Sequence, residues 1–347
     1  MKLLFVSGPA RSGTTAFADY LNQHQEILVC RERYKYVPRK IDSSFFTFDR
    51  ILDYEPQQRS GETNIPLEYH AELLARKDPA KLKWIGDKHP GYARLLPAIY
   101  LNNPGASFIL TYRPIEEVVE SFDARSKNPE DVWLGGKNGF EMGVEFWNRT
   151  MRSTREFIES GLNPKVLIVS YHDFFYRNED CIPLISRFLD LEFDDSIRKA
   201  WREMSREFEG ERRAKEPFSE EQVALIEKRK DHVAEQWVLD RIEEQWRELD
   251  GYTAADRGTS SQPRIFGASL EREETETAIQ VRRTWELEHQ IQSLKSSLSK
   301  EQRRTELLQK KNQDLKHQMQ EIQGSRSWKL LGKIGRLRAK MLGKKKG

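Results

Sequence analysis

The segment SGPARSGTT, residues 7–15, gathers the backbone freedom and the donors needed to hold a phosphate. Gly8 and Gly13 permit a tight turn and a close backbone approach, and the N–H groups from Gly13 to Thr15 would form the positive end of a helix. Arg11, Ser12, Thr14 and Thr15 add donors. A second set lies in TYRPIEEVVES, where Arg113 follows an apolar run and Ser121 comes eight residues later, just over two helical turns on. Arg113 offers a planar fork for phosphate and Ser121 a hydroxyl. Taken alone, the same pair also reads as a surface ion-pair arginine and an ordinary helix hydroxyl.

Positioning these groups requires strands that end beside one another. Short apolar runs at residues 2–7, 26–30, 84–86, 106–111 and 165–170 alternate with helical spacings such as Val118, Val119 and Phe122, then Phe146, Met151 and Phe157. That alternation predicts an α/β fold, a P-loop-like, doubly wound parallel sheet flanked by helices. The spacing Gly8-x4-Gly13-Thr14-Thr15 overlays the phosphate-loop pattern G-x4-G-K-[ST], with Thr14 in the place of the lysine. Without a lysine between β- and γ-phosphates, a single phosphate joined to another group suits the loop better than a triphosphate.

The remaining chain divides by composition. Residues 31–83, with Tyr34, Tyr36, Phe45, Phe46 and Phe48 and few regular periods, read as an insertion over the sheet that shapes an acceptor pocket. Residues 195–250 are helical and highly charged, with Ser219 as a helix N-cap, and complete a domain of residues 1–250. Residues 251–269 are a Gly/Ser/Thr/Pro-containing linker. Over 270–323, Leu287, Leu294, Leu308, Leu315 and Ile322 alternate with Ile291, Leu298 and Met319 at coiled-coil spacing, interrupted by Glu301, Thr305 and Asn312. The expected partner is a second copy in a parallel homodimer; a solvated amphipathic helix is the alternative. The tail, 324–347, sets Leu330, Ile334, Leu337 and Met341 beside Lys329, Lys333, Arg336 and Lys340, with Trp328 ahead of them. It suits peripheral contact with an anionic membrane, with no specific nucleic acid expected.

Of 347 residues, 37% are apolar and 33% charged, above the globular norm of about 25% charged, so part of the chain is expected outside any core. Residues 325–347 carry nine Lys/Arg and no acid; removing those nine from 58 leaves 49 cations against 55 acids elsewhere. No apolar run approaches the ~18 residues of a membrane-spanning helix, and the start lacks a signal peptide's pattern, so a cytoplasmic protein is expected, peripheral on the inner face of the plasma membrane. Two cysteines, Cys30 and Cys181, provide neither a disulfide framework nor a Cys-rich zinc site, and no His/Asp/Glu spacing calls for a metal.

Together, in this order, the two phosphate-binding motifs resemble the family of sulfotransferases that use 3′-phosphoadenosine 5′-phosphosulfate (PAPS). The resemblance covers roughly residues 1–195 and implies that the loop, with Gly8, Arg11, Ser12, Gly13, Thr14 and Thr15, binds the 5′-phosphosulfate. It implies that Arg113 and Ser121 bind the 3′-phosphate of the same molecule. GDKHPGY, residues 86–92, resembles the lysine-containing segment of the tyrosylprotein and carbohydrate branches, and VCRERYKY, residues 29–36, puts Glu32 at that branch's carboxylate position. VLIVSYHDFF, residues 166–175, is similar to the family's strand followed by Tyr-Glu-Asp-Leu; His172 and Phe174 depart from it, leaving Tyr171 as the expected donor contact.

The resemblance implies sulfuryl transfer to a hydroxyl of a carbohydrate or glycoconjugate, without a metal. Glu32 is the expected base, its pKa raised by burial near Tyr34 and Tyr36, while Lys88 and Arg11 stabilise charge on the sulfuryl and leaving oxygens. Glu32 paired with Arg31 or Arg33, and His89 as a competing base, stand as alternatives. So do a P-loop kinase or NTPase using Asp173, and a non-catalytic scaffold dimerised by the coiled coil.

Overall fold

The computed structural model describes residues 1–54, 62–128, 138–212 and 218–250, and isolated positions between 298 and 337. The chain divides into two units, Met1–Ala278 and Ile279–Gly347. In the first, β1 (Lys2–Ser7), β2 (Ile27–Arg31), β3 (Trp84–Lys88), β4 (Ser107–Tyr112) and β5 (Lys165–Ser170) make one sheet in the order β2-β3-β1-β4-β5. Every pairing is parallel. The strands are short runs of Val, Ile, Leu and Phe buried on both faces, as a sheet covered by helices requires.

The helices are α1 (Thr14–Leu21), α2 (Phe48–Leu52), α3 (Leu67–Ala75), α4 (Leu96–Asn102), α5 (Ile115–Ser126) and α6 (Gly139–Glu159). They continue with α7 (Tyr171–Tyr176), α8 (Asn178–Leu189), α9 (Asp195–Arg212), α10 (Glu220–Arg229) and α11 (His232–Asp250). The long α6 buries Phe140, Val144, Trp147, Met151 and Phe157, and Trp147 Nε1 donates to the Arg113 carbonyl (2.8 Å), fixing the chain where it leaves β4.

Two details differ from the sequence reading. The strand expected at 84–86 runs on through Asp87 and Lys88, which pair with Phe5 and Val6 although both are charged. Buried polar partners hold these two residues in the sheet, a cause that apolar patterning does not register. The insertion at 31–83 also has more regular structure than its composition suggested, including α2 and α3. It closes on the sheet through Phe46, whose ring meets that of Phe5 at 5.6 Å, and through buried Arg33, which donates to the Ile51 and Asp53 carbonyls and pairs with Glu62.

Residues beyond 195 belong to the same core. Trp201 of α9 packs against Tyr20 and Phe174 and donates from Nε1 to the Phe174 carbonyl (3.1 Å). Ser219 and Gln222 form the reciprocal cap that starts α10. Gln245 of α11 accepts from Ile168 N (3.0 Å) and donates to Ile168 O (2.9 Å), covering backbone groups on the open edge of β5.

In the second unit the described positions, among them Leu298, Thr305, Leu330, Ile334 and Leu337, are helical and exposed. The linker at 251–269 and most of the expected coiled-coil seam lie outside the described residues. Among the described residues no helix is long and apolar enough to cross a membrane.

Replacing Gln245 by Ala leaves both Ile168 groups buried without partners. The variant is expected to lose about 2 kcal/mol of stability, read by denaturant unfolding, with greater aggregation on warming. Wild-type stability in Gln245→Ala would show that α11 does not guard the edge.

Candidate active site

The loop after β1 is shaped by backbone contacts. Gly8 has φ +146°, and a Cβ there would lie 2.2 Å from Thr111 Oγ1 and 2.6 Å from Thr111 O, so only glycine lets β1 leave the sheet beside β4. Gly13, at φ +80°, precedes α1 without a side-chain cap. The first bond inside α1 runs from Phe17 N to Gly13 O (2.9 Å), so the N–H groups of Thr14, Thr15 and Ala16 have no carbonyl within the helix to meet. Ser12 was expected among the phosphate donors. Instead it is buried, with its hydroxyl bonded to Pro9 O and Thr111 Oγ1, both at 2.5 Å, and its N–H turned to Pro9 O. Gly8 and Ser12 therefore build the loop, and the surface offered to an anion comes from Arg11 and from Gly13 to Thr15.

The second motif meets this loop directly. Arg113 Nη1 donates to the Arg11 carbonyl (2.8 Å), and Arg11 Nε donates to Ser121 Oγ (2.8 Å). Arg113 is held from two further directions, one of them itself braced by a histidine. Its guanidinium lies 4.0 Å from the centre of the Tyr171 ring, its Nε donates to Glu117 Oε2 (2.9 Å), and the other Glu117 oxygen meets His172 Nε2 (2.7 Å). Burial raises the Glu117 carboxyl, but the hydrogen bonds from His172 and Arg113 outweigh it and bring the group down to about 2. Arg113 is thus an ion pair, as its isolated reading allowed, yet a buried one that lines the cavity.

Glu32 and Lys88 meet at the carboxyl ends of β2 and β3. Lys88 Nζ lies 3.1 Å from Glu32 Oε1 and 2.8 Å from Thr15 Oγ1, so one ammonium bridges the carboxylate and the phosphate loop. Neither arginine neighbour takes Glu32: Arg31 pairs with Asp19 at 2.6 Å and Arg33 with Glu62 at 2.9 Å. The expected rise in the Glu32 pKa is overturned. Burial does push the carboxyl up, but Lys88, His89 and Lys35 together hold it below its ordinary value. The aromatic surroundings invoked for that rise lie elsewhere, since Tyr34 is buried and donates to the Phe45 carbonyl while Tyr36 is exposed.

His89 does not compete as a base in this arrangement. Its Nδ1 accepts from Gly91 N (2.9 Å), which leaves the proton of the neutral ring on Nε2, 3.9 Å from Glu32 Oε2. Burial lowers its pKa to about 4, so the ring is neutral at pH 7. Arg11, paired with Lys88 in the sequence reading, instead directs its Nε to Ser121. The predicted residues fall into two groups: Arg11, Arg113, Ser121 and Tyr171 at one end, and Glu32, Lys88 and Thr15 at the other.

One cavity of about 960 Å³, lined by Gly13, Thr14 and Thr15 as well as by Arg11, Glu32, Arg113, Ser121 and Tyr171, joins the two groups; Lys88, 1% exposed, touches Glu32 and Thr15 without being among the lining residues. Lys35, Asn64, His89, Arg94, Arg125 and Phe146 also line it. Of these only His89 stands out as a candidate in the sequence. Arg125, one turn beyond Ser121 on α5, was recoverable from helical spacing, whereas Lys35, Arg94 and Phe146 reach the cavity only through the tertiary fold. Asp173, on which the kinase reading relied, faces Arg177 at 3.4 Å and is not among the lining residues. Among the described residues no three His, Cys, Asp or Glu side chains are grouped to hold a metal ion.

Protein-tyrosine sulfotransferase A of Caenorhabditis elegans is 24% identical over 206 residues, spanning 56% of this chain and 51% of the relative. Protein-tyrosine sulfotransferase 1 of Danio rerio is 26% identical over 216 residues, spanning 57% and 55%. The chain spans about half the length of the curated relatives it matches. Among solved structures, the sulfotransferase domain from the curacin biosynthetic pathway aligns at 19% identity and a TM-score of 0.40, over 56% of this chain and 76% of that one. The sulfotransferase of Alicyclobacillus acidocaldarius aligns at 14% identity and a TM-score of 0.36, over 59% and 92%. The model of the sulfotransferase family matches residues 4–195, more than half of the chain and a span that includes both ends of the cavity, so this chain belongs to the sulfotransferase family.

Proposed function

We propose that the chain transfers the sulfuryl group of PAPS to an acceptor hydroxyl by in-line displacement. The observation that carries this reading is Lys88 Nζ lying between Thr15 Oγ1 and Glu32 Oε1. A cation placed there touches the loop suited to the 5′-phosphate and also the carboxylate that would receive the acceptor's proton. The cavity of about 960 Å³ has room for a nucleotide and an acceptor group. At its other end Arg113 and Ser121 supply a fork and a hydroxyl for a second phosphate.

In the proposed step the acceptor oxygen forms a bond to sulfur as the bond from sulfur to the 5′-phosphate oxygen breaks. The acceptor proton passes to Glu32, and the products are a sulfate ester and adenosine 3′,5′-bisphosphate. A weakly basic carboxylate suffices, because the hydroxyl proton becomes strongly acidic as its oxygen bonds to sulfur. Lys88, with the N–H groups at the start of α1, offsets charge growing on the leaving oxygen. The acceptor proposed from the sequence is a hydroxyl of a carbohydrate or glycoconjugate. The names of the two relatives favour a second reading, the phenol of a tyrosyl residue in a protein.

The proposal includes a parallel homodimer through residues 270–323 and peripheral contact of the tail with an anionic membrane on its cytoplasmic side. Leu298, Leu330, Ile334 and Leu337 support it, being 60%, 60%, 53% and 58% exposed in a single chain.

Adenosine 3′,5′-bisphosphate without magnesium is expected to raise the melting temperature, by about 2.7 kcal/mol of stabilisation at 100 times its Kd. Arg113→Ala, still folded, should bind it at least ~10-fold more weakly. Stabilisation by ATP with magnesium and none by the bisphosphate would replace this reading with a P-loop NTPase.

Incubation with sulfur-labelled PAPS and a panel of sugars, glycolipids and tyrosine peptides should transfer label to one class. Glu32→Gln should lower kcat about 10²- to 10⁴-fold while the bisphosphate still binds. Because the base works ionised and its carboxyl lies below the ordinary 4.5, Glu32 itself should add an acid limb only below that value, and any earlier fall should come from the buried Asp87 beside it, which burial raises to about 6. An acid limb centred above pH 6 would remove Glu32 from this role.

A further inference from the structure

Beneath the reactive pair lies a carboxylate that the proposed step does not use. Asp87, wholly buried in β3, accepts four hydrogen bonds. Oδ1 takes Arg33 N (3.1 Å) and Lys88 N (3.0 Å), and Oδ2 takes Tyr34 N (3.1 Å) and the Tyr92 hydroxyl (2.5 Å). Three of these donors belong to the chain immediately around the reactive groups. Arg33 and Tyr34 are the first two residues after Glu32; Lys88 is the next residue after Asp87 itself. Tyr92 belongs to the turn that follows His89.

Glu32 needs such a hold. It sits at φ +51°, a left-handed conformation that a residue with a Cβ adopts only when its surroundings impose it. Its own N–H donates to Lys88 O (2.8 Å), and its carbonyl accepts from Thr63 Oγ1 (2.8 Å), so the peptide groups on both sides are tied down. The next two N–H groups leave the sheet and converge on Asp87. Without an acceptor there, these two N–H groups would be left buried and unpaired, and the turn that faces the Glu32 carboxylate toward Lys88 and Thr15 would keep only the Lys88 O and Thr63 bonds.

We propose that Asp87 is the positioning residue of the site, its two oxygens holding the left-handed turn that sets Glu32 against Lys88. The inference rests on Glu32 being the base. Asn at this position keeps the shape and fails chemically: its one oxygen can serve Arg33 and Lys88, but its NH2 would face the Tyr34 N–H, donor against donor. The anchors of the second phosphate, Arg113 and Ser121, make no described contact with Asp87 and should be spared.

The test uses the full chain with Asp87→Asn and, separately, Tyr92→Phe. Crystal structures report the Glu32–Lys88 contact, calorimetry reports the Kd of adenosine 3′,5′-bisphosphate, and transfer from PAPS to the acceptor the wild type uses best reports kcat and KM. For Asp87→Asn the contact should open and kcat should fall about 100-fold, the scale of a misplacement near 1 Å, with Kd and KM within about threefold. A contact retained near 3.1 Å, a kcat within threefold of wild type, or a Kd that weakens in step with kcat would each overturn the assignment.

If Asp87→Asn does not fold, Tyr92→Phe decides, because it removes one of the four bonds and keeps the ring. It should lower kcat about fivefold with Kd unchanged, and a rate within twofold of wild type would count against Asp87. A wild type that binds no bisphosphate and moves no label would end the sulfotransferase reading instead, while the crystal structures still decide whether Asp87 places Glu32.

Discussion

The site depends on how closely the chain leaving β1 passes the end of β4. With no side chain at Gly8, its backbone runs against Thr111, and the Ser12 hydroxyl seals the junction by bonding to Thr111 Oγ1. The approach brings Arg11 within reach of Arg113 and Ser121, residues about a hundred positions away in sequence, and Arg113 Nη1 closes on the Arg11 carbonyl. The crevice outside the carboxyl ends of adjoining parallel strands is where an open α/β sheet binds ligands, and here the loop after β1 and the Arg113–Ser121 pair both border it. A larger residue at position 8 would separate the motifs before it disturbed any donor.

Electrostatics then divide the cavity. At the Arg113 end the cation is immobilised by its own carboxylate, Glu117, by the Tyr171 ring and by a carbonyl. A guanidinium fixed in this way loses little further freedom when an anion arrives, and its Nη2 corner has no protein hydrogen bond among the described residues. At the Glu32 end the arrangement is reciprocal: Lys88 keeps Glu32 ionised, Glu32 and Thr15 keep the buried Lys88 in place, and His89 stays neutral. Each of the two buried cations, Arg113 and Lys88, has its own carboxylate, while Arg11, Lys35, Arg94 and Arg125 leave the cavity lining net positive, which favours an anionic ligand.

Much of this was legible in the sequence where the cause is local. The loop at 7–15 and the Arg113 to Ser121 spacing are contiguous patterns whose physical requirements, a turn and a helix start, are met within a few residues. The sheet followed from apolar runs. What escaped was set by contacts across the fold. Ser12 looked like one more hydroxyl donor, and only the neighbouring Thr111 turns it inward. Asp87 looked like the residue after a strand, because polarity ends an apolar run, and two of its four donors, Arg33 and Tyr34, come from more than fifty residues away. The direction of the Glu32 pKa depends on Lys35, Lys88 and His89 converging on one carboxylate, and no spacing in the sequence encodes that convergence. Lys35 and Arg94 carried no signal in the sequence for the same reason.

Two buried carboxylates show how the fold treats stability and position differently. Glu117, held near 2, lies below its ordinary 4.5, so it favours the folded state above that pH, and the benefit disappears as pH falls toward 2. Asp87 has the opposite sign. Burial raises it from 3.8 to about 6 despite four hydrogen bonds, so the folded state binds its proton more tightly than the unfolded chain does. Its ionised form therefore costs stability above about pH 6, and the cost fades as pH falls through that value toward 3.8. An uncharged residue of the same volume would relieve the cost yet could not accept from Arg33, Tyr34, Lys88 and Tyr92 together. A group whose charge is disfavoured by burial, and which still holds the backbone on both sides of Glu32 and Lys88, is best understood through what it positions.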